Sequence, residues 1–161
     1  AQYCTEHFTN AYSQKTETNP FYAKIICGNC GSTYSRVKYT TRAGTAITKW
    51  RCGSCNKTNG HKICSNRYVT DETFKKLFVM SWNEVVMHQE EYQERWQENI
   101  KSEDVLLRYK TRLLMKHVAT GEIKGFEPEL MMAVMDHITV FEDGRLQILF
   151  YDGTEFEVET E

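Results

Sequence analysis

Acidic residues are missing from a long stretch near the start of this sequence. Residues 22–68 contain no Asp and no Glu, while the same stretch holds nine Lys and Arg. Residues 69–161 hold 10 Lys and Arg against 20 Asp and Glu, a net charge of −10 that the overall value of −2 conceals. Because a solvated surface normally mixes charges of both signs, this asymmetry indicates an anionic partner for the basic stretch and favours nucleic acid.

Long apolar runs, secretion signals and catalytic motifs are absent from the sequence as well. It has no run of about 18 apolar residues, and its polar start lacks the apolar core of a signal peptide. It has no glycine-rich loop for phosphate and no nucleophile elbow. We therefore predict no catalytic residues in this chain and no membrane partner. The chain opens at Ala1 rather than Met, and we expect it to be a piece of a longer protein.

Cysteine spacing predicts a metal site. Five of the six cysteines fall within 38 residues and include two CxxC pairs, which is unlike a secreted disulfide framework and favours zinc in a reducing, cytoplasmic setting. A closed, tetrahedral zinc site needs four ligands. Spacing favours the two CxxC pairs as the ligands, namely Cys27, Cys30, Cys52 and Cys55. In the competing set, Cys64 takes the place of Cys55.

Hydrophobic periodicity predicts an α+β fold. Residues 21–69 read as a zinc β-ribbon, in which a β-hairpin carries the metal site at one end. Residues 70–125 read as helical: a long amphipathic helix with Thr70 as N-cap, about eight turns if unbroken, then a shorter helical insertion with Ser102 as N-cap. Residues 126–161 read as a short helix with Pro128 in its first turn, followed by a three-stranded β-meander. We expect residues 1–20 to be a linker or arm from a preceding domain.

Aromatic side chains lie between the cations of the basic stretch. Cations contact phosphates, and a β-ribbon can enter a groove of DNA. The simpler interpretation is that Trp50 and Tyr39 pack the hairpin onto the long helix, and we expect at least one of them to do so. The candidate DNA-binding residues are Arg36, Lys38, Tyr39, Arg42, Lys49, Arg51, Lys57, Lys62 and Arg67.

The stretches "NPFYAKIICGNCGSTYSR" and "KWRCGSCNKTNGHKICSNRYVTDETFKKLFVMSWNEV" resemble the recombinase zinc β-ribbon of large serine recombinases, the site-specific integrases and transposases of phages and mobile elements. The closing stretch "DHITVFEDGRLQILFYDGTEFEV" resembles the C-terminal strands of the same family. The resemblance implies that Cys64 rather than Cys55 is the fourth zinc ligand. It also implies a region that binds double-stranded attachment-site DNA and acts with other recombinase subunits in the cytoplasm, in a protein of bacterial or phage origin.

The family's chemistry uses a serine nucleophile in an N-terminal catalytic domain, and the Tyr-x-Arg-x-Ser type motif of that domain is absent here. The resemblance therefore implies the C-terminal DNA-binding region of a recombinase. Many members carry a long antiparallel coiled coil, whereas the second helix here is short, so residues 70–125 could form at most a short coiled-coil hairpin. Two alternatives stay open, a zinc-ribbon protein-interaction module without DNA affinity and a thiol redox enzyme.

Overall fold

The computed structural model describes residues 19–55, 57–58 and 61–160, without the side chains at 57, 58, 61 and 62. Cys4 and residues 1–18 of the predicted arm lie outside the described residues. A 3-10 turn, Gly53–Cys55, follows the third strand. The strands and helices of the described part are β1 (Ile25–Cys27), β2 (Tyr34–Thr40), β3 (Ala46–Cys52), β4 (Lys57–Thr58), β5 (His61–Lys62), β6 (Val69–Thr70), α1 (Asp71–Met87), α2 (Gln89–Asn99), α3 (Val105–Val118), α4 (Pro128–Val134), β7 (Met135–Val140), β8 (Arg145–Phe150) and β9 (Glu155–Glu159).

The predicted α+β class is confirmed, and the hairpin forms a three-stranded sheet in the order β2-β3-β6. Strands β2 and β3 are antiparallel and pair Tyr34 with Cys52 and Arg36 with Trp50. Because residues paired across a ladder point to the same face, Tyr34, Trp50 and Cys52 share one face, and all three are buried. We call this the inner face of the hairpin and the opposite one its outer face.

The predicted meander is confirmed and gains a fourth strand. The sheet order is β1-β7-β8-β9, with β7, β8 and β9 antiparallel in sequence. Strand β1 pairs in parallel with β7, placing Ile25 beside Ile138 and Cys27 beside Val140. The strand that leads into the first CxxC motif is therefore hydrogen-bonded to the C-terminal sheet, a pairing that the sequence analysis did not predict.

The predicted long helix is not continuous. The helix ends at Met87 and restarts at Gln89, with His88 at φ −109° and ψ 26° between them. Helix α1 buries an apolar face against the core, whereas the buried side chain of α2 is Trp96. The Trp96 indole donates to Asp152 Oδ2 (2.7 Å) in the turn between β8 and β9. The break thus separates a helix packed on the core from one fastened to the meander through an indole.

The start of α3 also differs from the prediction. Its N-cap is Asp104, whose Oδ1 accepts hydrogen bonds from the backbone N–H groups of Leu106 (3.0 Å) and Leu107 (3.1 Å). The predicted cap, Ser102, instead accepts from the Asp104 N–H (3.1 Å). A carboxylate cap also suits the positive end of the helix dipole, so the aspartate is the better cap of the two. Helix α4 begins at Pro128 as predicted.

Aromatic side chains join the two sheets through α1. Phe21 contacts Trp50 of the hairpin edge-on, and Phe78 and Trp82 of α1 contact Phe150 of the meander. All five of these side chains are buried. Truncating a buried Phe or Trp to Ala typically costs about 3–5 kcal/mol, so the contacts of α1 with Phe150 contribute substantially to holding the helix on the meander. Among the described residues, no helix is both long and apolar enough to cross a membrane.

Candidate metal centre and nucleic-acid interface

Two backbone turns bring the cysteines together. After β1 the chain turns tightly: the Gly31 N–H donates to the Cys27 carbonyl (2.9 Å), and the Cys27 N–H donates to the Ser32 carbonyl (2.8 Å). Gly31 has φ +75°, a left-handed conformation that glycine adopts without steric cost. On the other side the Cys64 N–H donates to the Ser54 carbonyl (3.2 Å), which returns the chain to the end of β3.

The structure gathers four thiols at this point: Cys27, Cys30, Cys52 and Cys64. Their Sγ atoms all lie within 4.8 Å of one another. The Cys27–Cys64 and Cys30–Cys52 sulfur pairs are 3.8 Å and 3.3 Å apart. Zinc–sulfur bonds of about 2.3 Å in a tetrahedron place the sulfurs about 3.8 Å apart. A closed set of four thiolates at this spacing fits a structural Zn²⁺ without an open coordination position.

Cys55 lies outside this group of four. Its side chain is buried, and its Sγ is 3.8 Å from the Asn66 carbonyl oxygen, toward which it can donate a weak hydrogen bond. Spacing favoured Cys55 as a ligand and the resemblance favoured Cys64. The geometry brings together the set that the resemblance implies.

Local hydrogen bonds act on two of these thiols against the effect of burial. Hydrogen bonds from the Ser32 side chain and backbone lower the pKa of Cys30, which is exposed, to about 6. Burial acts to raise the pKa of Cys27, but the Asn66 amide and nearby backbone N–H groups outweigh it, and that pKa lies below its usual value. Burial keeps the pKa of Cys52 well above its usual range. A bound cation would favour the thiolate at all of these positions.

Arg67, a predicted DNA contact, is directed into the protein. Its half-buried guanidinium fastens the segment after Cys64 to the turn between β7 and β8. Tyr34 adds to this by donating from its hydroxyl to the Arg67 carbonyl (2.9 Å). Arg67 is therefore not part of the exposed basic surface of the hairpin. The acceptors of its guanidinium are the carbonyls of Phe141 (3.1 Å), Gly144 (2.9 Å) and Arg145 (3.4 Å) and the Thr160 hydroxyl (2.8 Å).

Gly28, inside the first CxxC, is pressed against the same turn. A Cβ added there would lie 2.7 Å from Cδ1 of Phe141 and 3.0 Å from the Val140 carbonyl oxygen. We expect Gly28→Ala to lower the free energy of unfolding by about 1–3 kcal/mol, because the ring and the strand must move apart. Thermal unfolding of the zinc-loaded protein measures it. Gly125→Ala is the matched control, since its Cβ meets nothing within 4 Å, and an equal loss of stability there would contradict the explanation.

The outer face of the hairpin combines cations with aromatic rings. The strand register places Val37 beside Lys49 and Tyr39 beside Ile47 on this face. Tyr68, just before β6, contacts Tyr39 edge-on with ring centroids 6.1 Å apart. The two tyrosines are 37% and 44% exposed. A shallow groove of about 300 Å³ lies here, lined by Tyr39, Thr40, Thr41, Ile47, Lys49 and Tyr68.

The other predicted DNA contacts are distributed unequally. Arg51 lies on the outer face, paired with Ser35, while Lys38 and Arg42 are exposed toward the hairpin tip. Arg36 lies on the inner face, where its Nε is 3.8 Å from Asp71 Oδ1. The side chains of Lys57 and Lys62 lie outside the described residues. Of the two aromatics expected to pack on the helix, Trp50 does so and donates to Asp71 Oδ1 (2.9 Å).

Two residues near the site are not in the list of candidate contacts, although Tyr68 is one of the aromatics that lie between the cations of the basic stretch. Tyr68 completes the aromatic groove, and alternation along β6 could have placed it on the outer face with Thr70. Asn66 contacts Cys27 Sγ through its side chain. No sequence pattern indicates that contact, because the two residues are brought together by the fold.

Comparison with known proteins agrees with this architecture. A family model described as "Recombinase zinc beta ribbon domain" matches residues 20–83. No curated protein matches the chain. A solved structure described as a crystal structure of an LSR–DNA complex (LSR, large serine recombinase) is similar over 88% of this chain, with a TM-score of 0.58 and 11% sequence identity. The present chain covers 62% of the length of that chain.

The domain match covers both CxxC motifs, Cys64 and most of α1, and the structural match extends over the helical segment and the meander as well. The resemblance found in the sequence is thereby confirmed: residues 20–83 match the recombinase zinc beta ribbon domain, and the chain shares its fold with the protein of the LSR–DNA complex.

Proposed function

We propose that this chain is the DNA-binding region of a site-specific serine recombinase, and that it binds attachment-site duplex DNA through the outer face and tip of the β2–β3 hairpin. The observation that carries the proposal is the composition of that surface. Between residues 22 and 68 no acidic residue neutralises its cations, and its exposed tyrosines offer apolar contact to sugars and bases. The family match and the fold shared with an LSR–DNA complex support the same conclusion.

The shape of the hairpin suits a groove of DNA. Near the tip, Lys38 and Thr40 on one face and Tyr39 on the other are all exposed, so this end is not packed against the rest of the protein. The major groove of B-DNA is about 12 Å wide and admits a two-stranded ribbon. We propose Lys38, Arg42, Lys49 and Arg51 as phosphate contacts, with Tyr39 and Tyr68 against sugar or base edges.

We propose that zinc, held by the four clustered thiols, fixes the base of this hairpin. When bound, the metal supplies cross-linking of the chain and no reaction chemistry. The meander stabilises the same base through the β1–β7 pairing and the Arg67 hydrogen bonds, which supports residues 126–161 as the completion of the zinc domain. In the assembled recombinase this unit would position an N-terminal serine catalytic domain and meet other subunits, in the reducing cytoplasm of a bacterial host.

A salt titration tests the DNA-binding proposal. Duplexes with a randomised centre are first selected on the zinc-loaded protein, and the enriched sequence is then titrated between about 50 and 200 mM salt. We expect log affinity to fall linearly with log salt, with a slope of about −4 for four phosphate contacts. Binding that ignores salt, or no binding at low salt, would refute the proposal. A partner protein that survives nuclease treatment would then favour a protein-interaction module.

A further inference from the structure

Asn66 lies two residues after Cys64 and is 2% exposed. Its side-chain amide donates to Cys27 Sγ (3.1 Å) and to the Val140 carbonyl oxygen (2.9 Å). Its Oδ1 accepts from the Arg67 backbone N–H (2.8 Å). Both N–H bonds and the carbonyl of one small side chain are thus engaged in the protein interior, which is the condition under which a buried amide is stable.

The contact with Cys27 has a consequence for a metal ligand. An N–H donor aimed at sulfur stabilises the thiolate rather than the thiol, because a hydrogen bond to a charged acceptor is stronger than one to a neutral acceptor. It also fixes where the sulfur points. Partners of this kind, which orient a ligand without touching the metal, typically affect metal affinity by about 10–100-fold.

The contact with Val140 links the same amide to the meander. The Val140 carbonyl oxygen accepts from Asn66 and also from the Gly28 backbone N–H (2.8 Å). One carbonyl at the end of β7 therefore holds both the CxxC turn that carries Cys27 and the side chain that orients its sulfur. Strand β7 therefore helps to fix the position of Cys27, although Val140, the residue paired with Cys27, lies 113 residues further along the chain.

We propose that Asn66 is a positioning residue of the metal centre: its amide holds the Cys27 sulfur in ligand geometry and ties it to Val140 of the meander. The proposal rests on the proposed four-cysteine centre and goes beyond it, because it assigns an effect on metal affinity to a residue that is not itself a ligand. It also implies that metal binding and docking of the C-terminal sheet on the ribbon stabilise each other.

Zinc affinity of Asn66→Asp tests the proposal. Aspartate keeps the size and the oxygen that accepts from the Arg67 N–H but cannot donate to sulfur when ionised. We expect its zinc dissociation constant, measured in competition with a chromophoric chelator, to rise about 10–100-fold. Asn66→Ala should give a loss in the same range. The matched control is Asn83→Ala, because Asn83 also bridges backbone groups, at Ile123 (2.9 Å each way), away from the thiols.

An unchanged zinc affinity in a folded Asn66 variant, or an equal loss in Asn83→Ala, would overturn the proposal. If wild-type protein takes up no zinc, the metal centre itself fails, which is a separate result. If the Asn66 variants do not fold, a measurement on the wild-type protein tests the same contact. With an NMR-active cadmium isotope bound, scalar coupling between the metal and an Asn66 side-chain amide proton is expected, and its absence counts against the Asn66 contact.

Discussion

Replacing Cys64 by serine is expected to release the zinc and unfold the ribbon, whereas replacing Cys55 by serine should do neither. Cys64 Sγ lies with the sulfurs of Cys27, Cys30 and Cys52. Structural zinc contributes about 10–16 kcal/mol of apparent binding free energy in zinc-finger peptides, which is comparable with the whole stability of a typical domain, roughly 5–15 kcal/mol. A hydroxyl in place of one thiolate removes a large share of that free energy.

The measurement is zinc content per chain after dialysis, together with far-ultraviolet circular dichroism and alkylation of the remaining thiols. For Cys64→Ser we expect less than one equivalent of zinc and rapid alkylation of Cys27, Cys30 and Cys52. Cys55→Ser is the matched control, since it is a buried cysteine of the same segment outside the cluster. A reversed result, with zinc lost from Cys55→Ser and kept by Cys64→Ser, would restore the ligand set that spacing favours.

These two cysteines show which features of the metal site a local sequence pattern can predict. A CxxC pair is a local pattern, and two such pairs indicate a metal site. The choice of the fourth ligand depends on how the chain between Cys52 and Cys64 folds back. There the Cys64 N–H bonds to the Ser54 carbonyl, and this contact has no signature in the sequence. The family resemblance carried that information, because it reflects the folded arrangement of related chains.

The same limit explains which parts of the fold were predicted. The hairpin and the meander follow from alternation and from the turns at Asp143-Gly144 and Asp152-Gly153, which are local. The parallel pairing of β1 with β7 joins residues more than a hundred positions apart, so no local pattern reports it. The break at His88 has no proline or glycine beside it in the sequence, and the contact between Trp96 beyond the break and Asp152 joins positions far apart in the chain.

Residues of the same charge can have different roles, and only the folded protein distinguishes them. Arg67 and Lys49 are both cations of the acid-free stretch, and composition treats them alike. The guanidinium of Arg67 is used by carbonyl groups of the β7–β8 turn, whereas Lys49 lines the groove on the outer face. A cation count therefore predicts a nucleic-acid partner, but it also includes Arg67, whose guanidinium is bonded within the protein.

Replacing Lys49 and Arg51 together by alanine is expected to weaken binding of the selected duplex about 100-fold. A hydrogen bond to a charged group contributes about 1.5 kcal/mol or more, close to the 1.4 kcal/mol that corresponds to tenfold in affinity. Each lost phosphate contact should also lower the slope of log affinity against log salt by about one. Fluorescence anisotropy over a series of salt concentrations measures both quantities.

The matched control is Arg112→Ala with Lys116→Ala, which removes the same two charges from exposed positions of α3. Because exposed charges beyond a Debye length of about 8–10 Å are largely screened, the control should keep nearly the wild-type affinity and slope. Zinc content should stay at the wild-type level in both double variants, since neither pair belongs to the thiol cluster. Equal weakening in the two would mean that net charge, rather than the outer face of the hairpin, attracts the DNA, and would place the binding surface elsewhere.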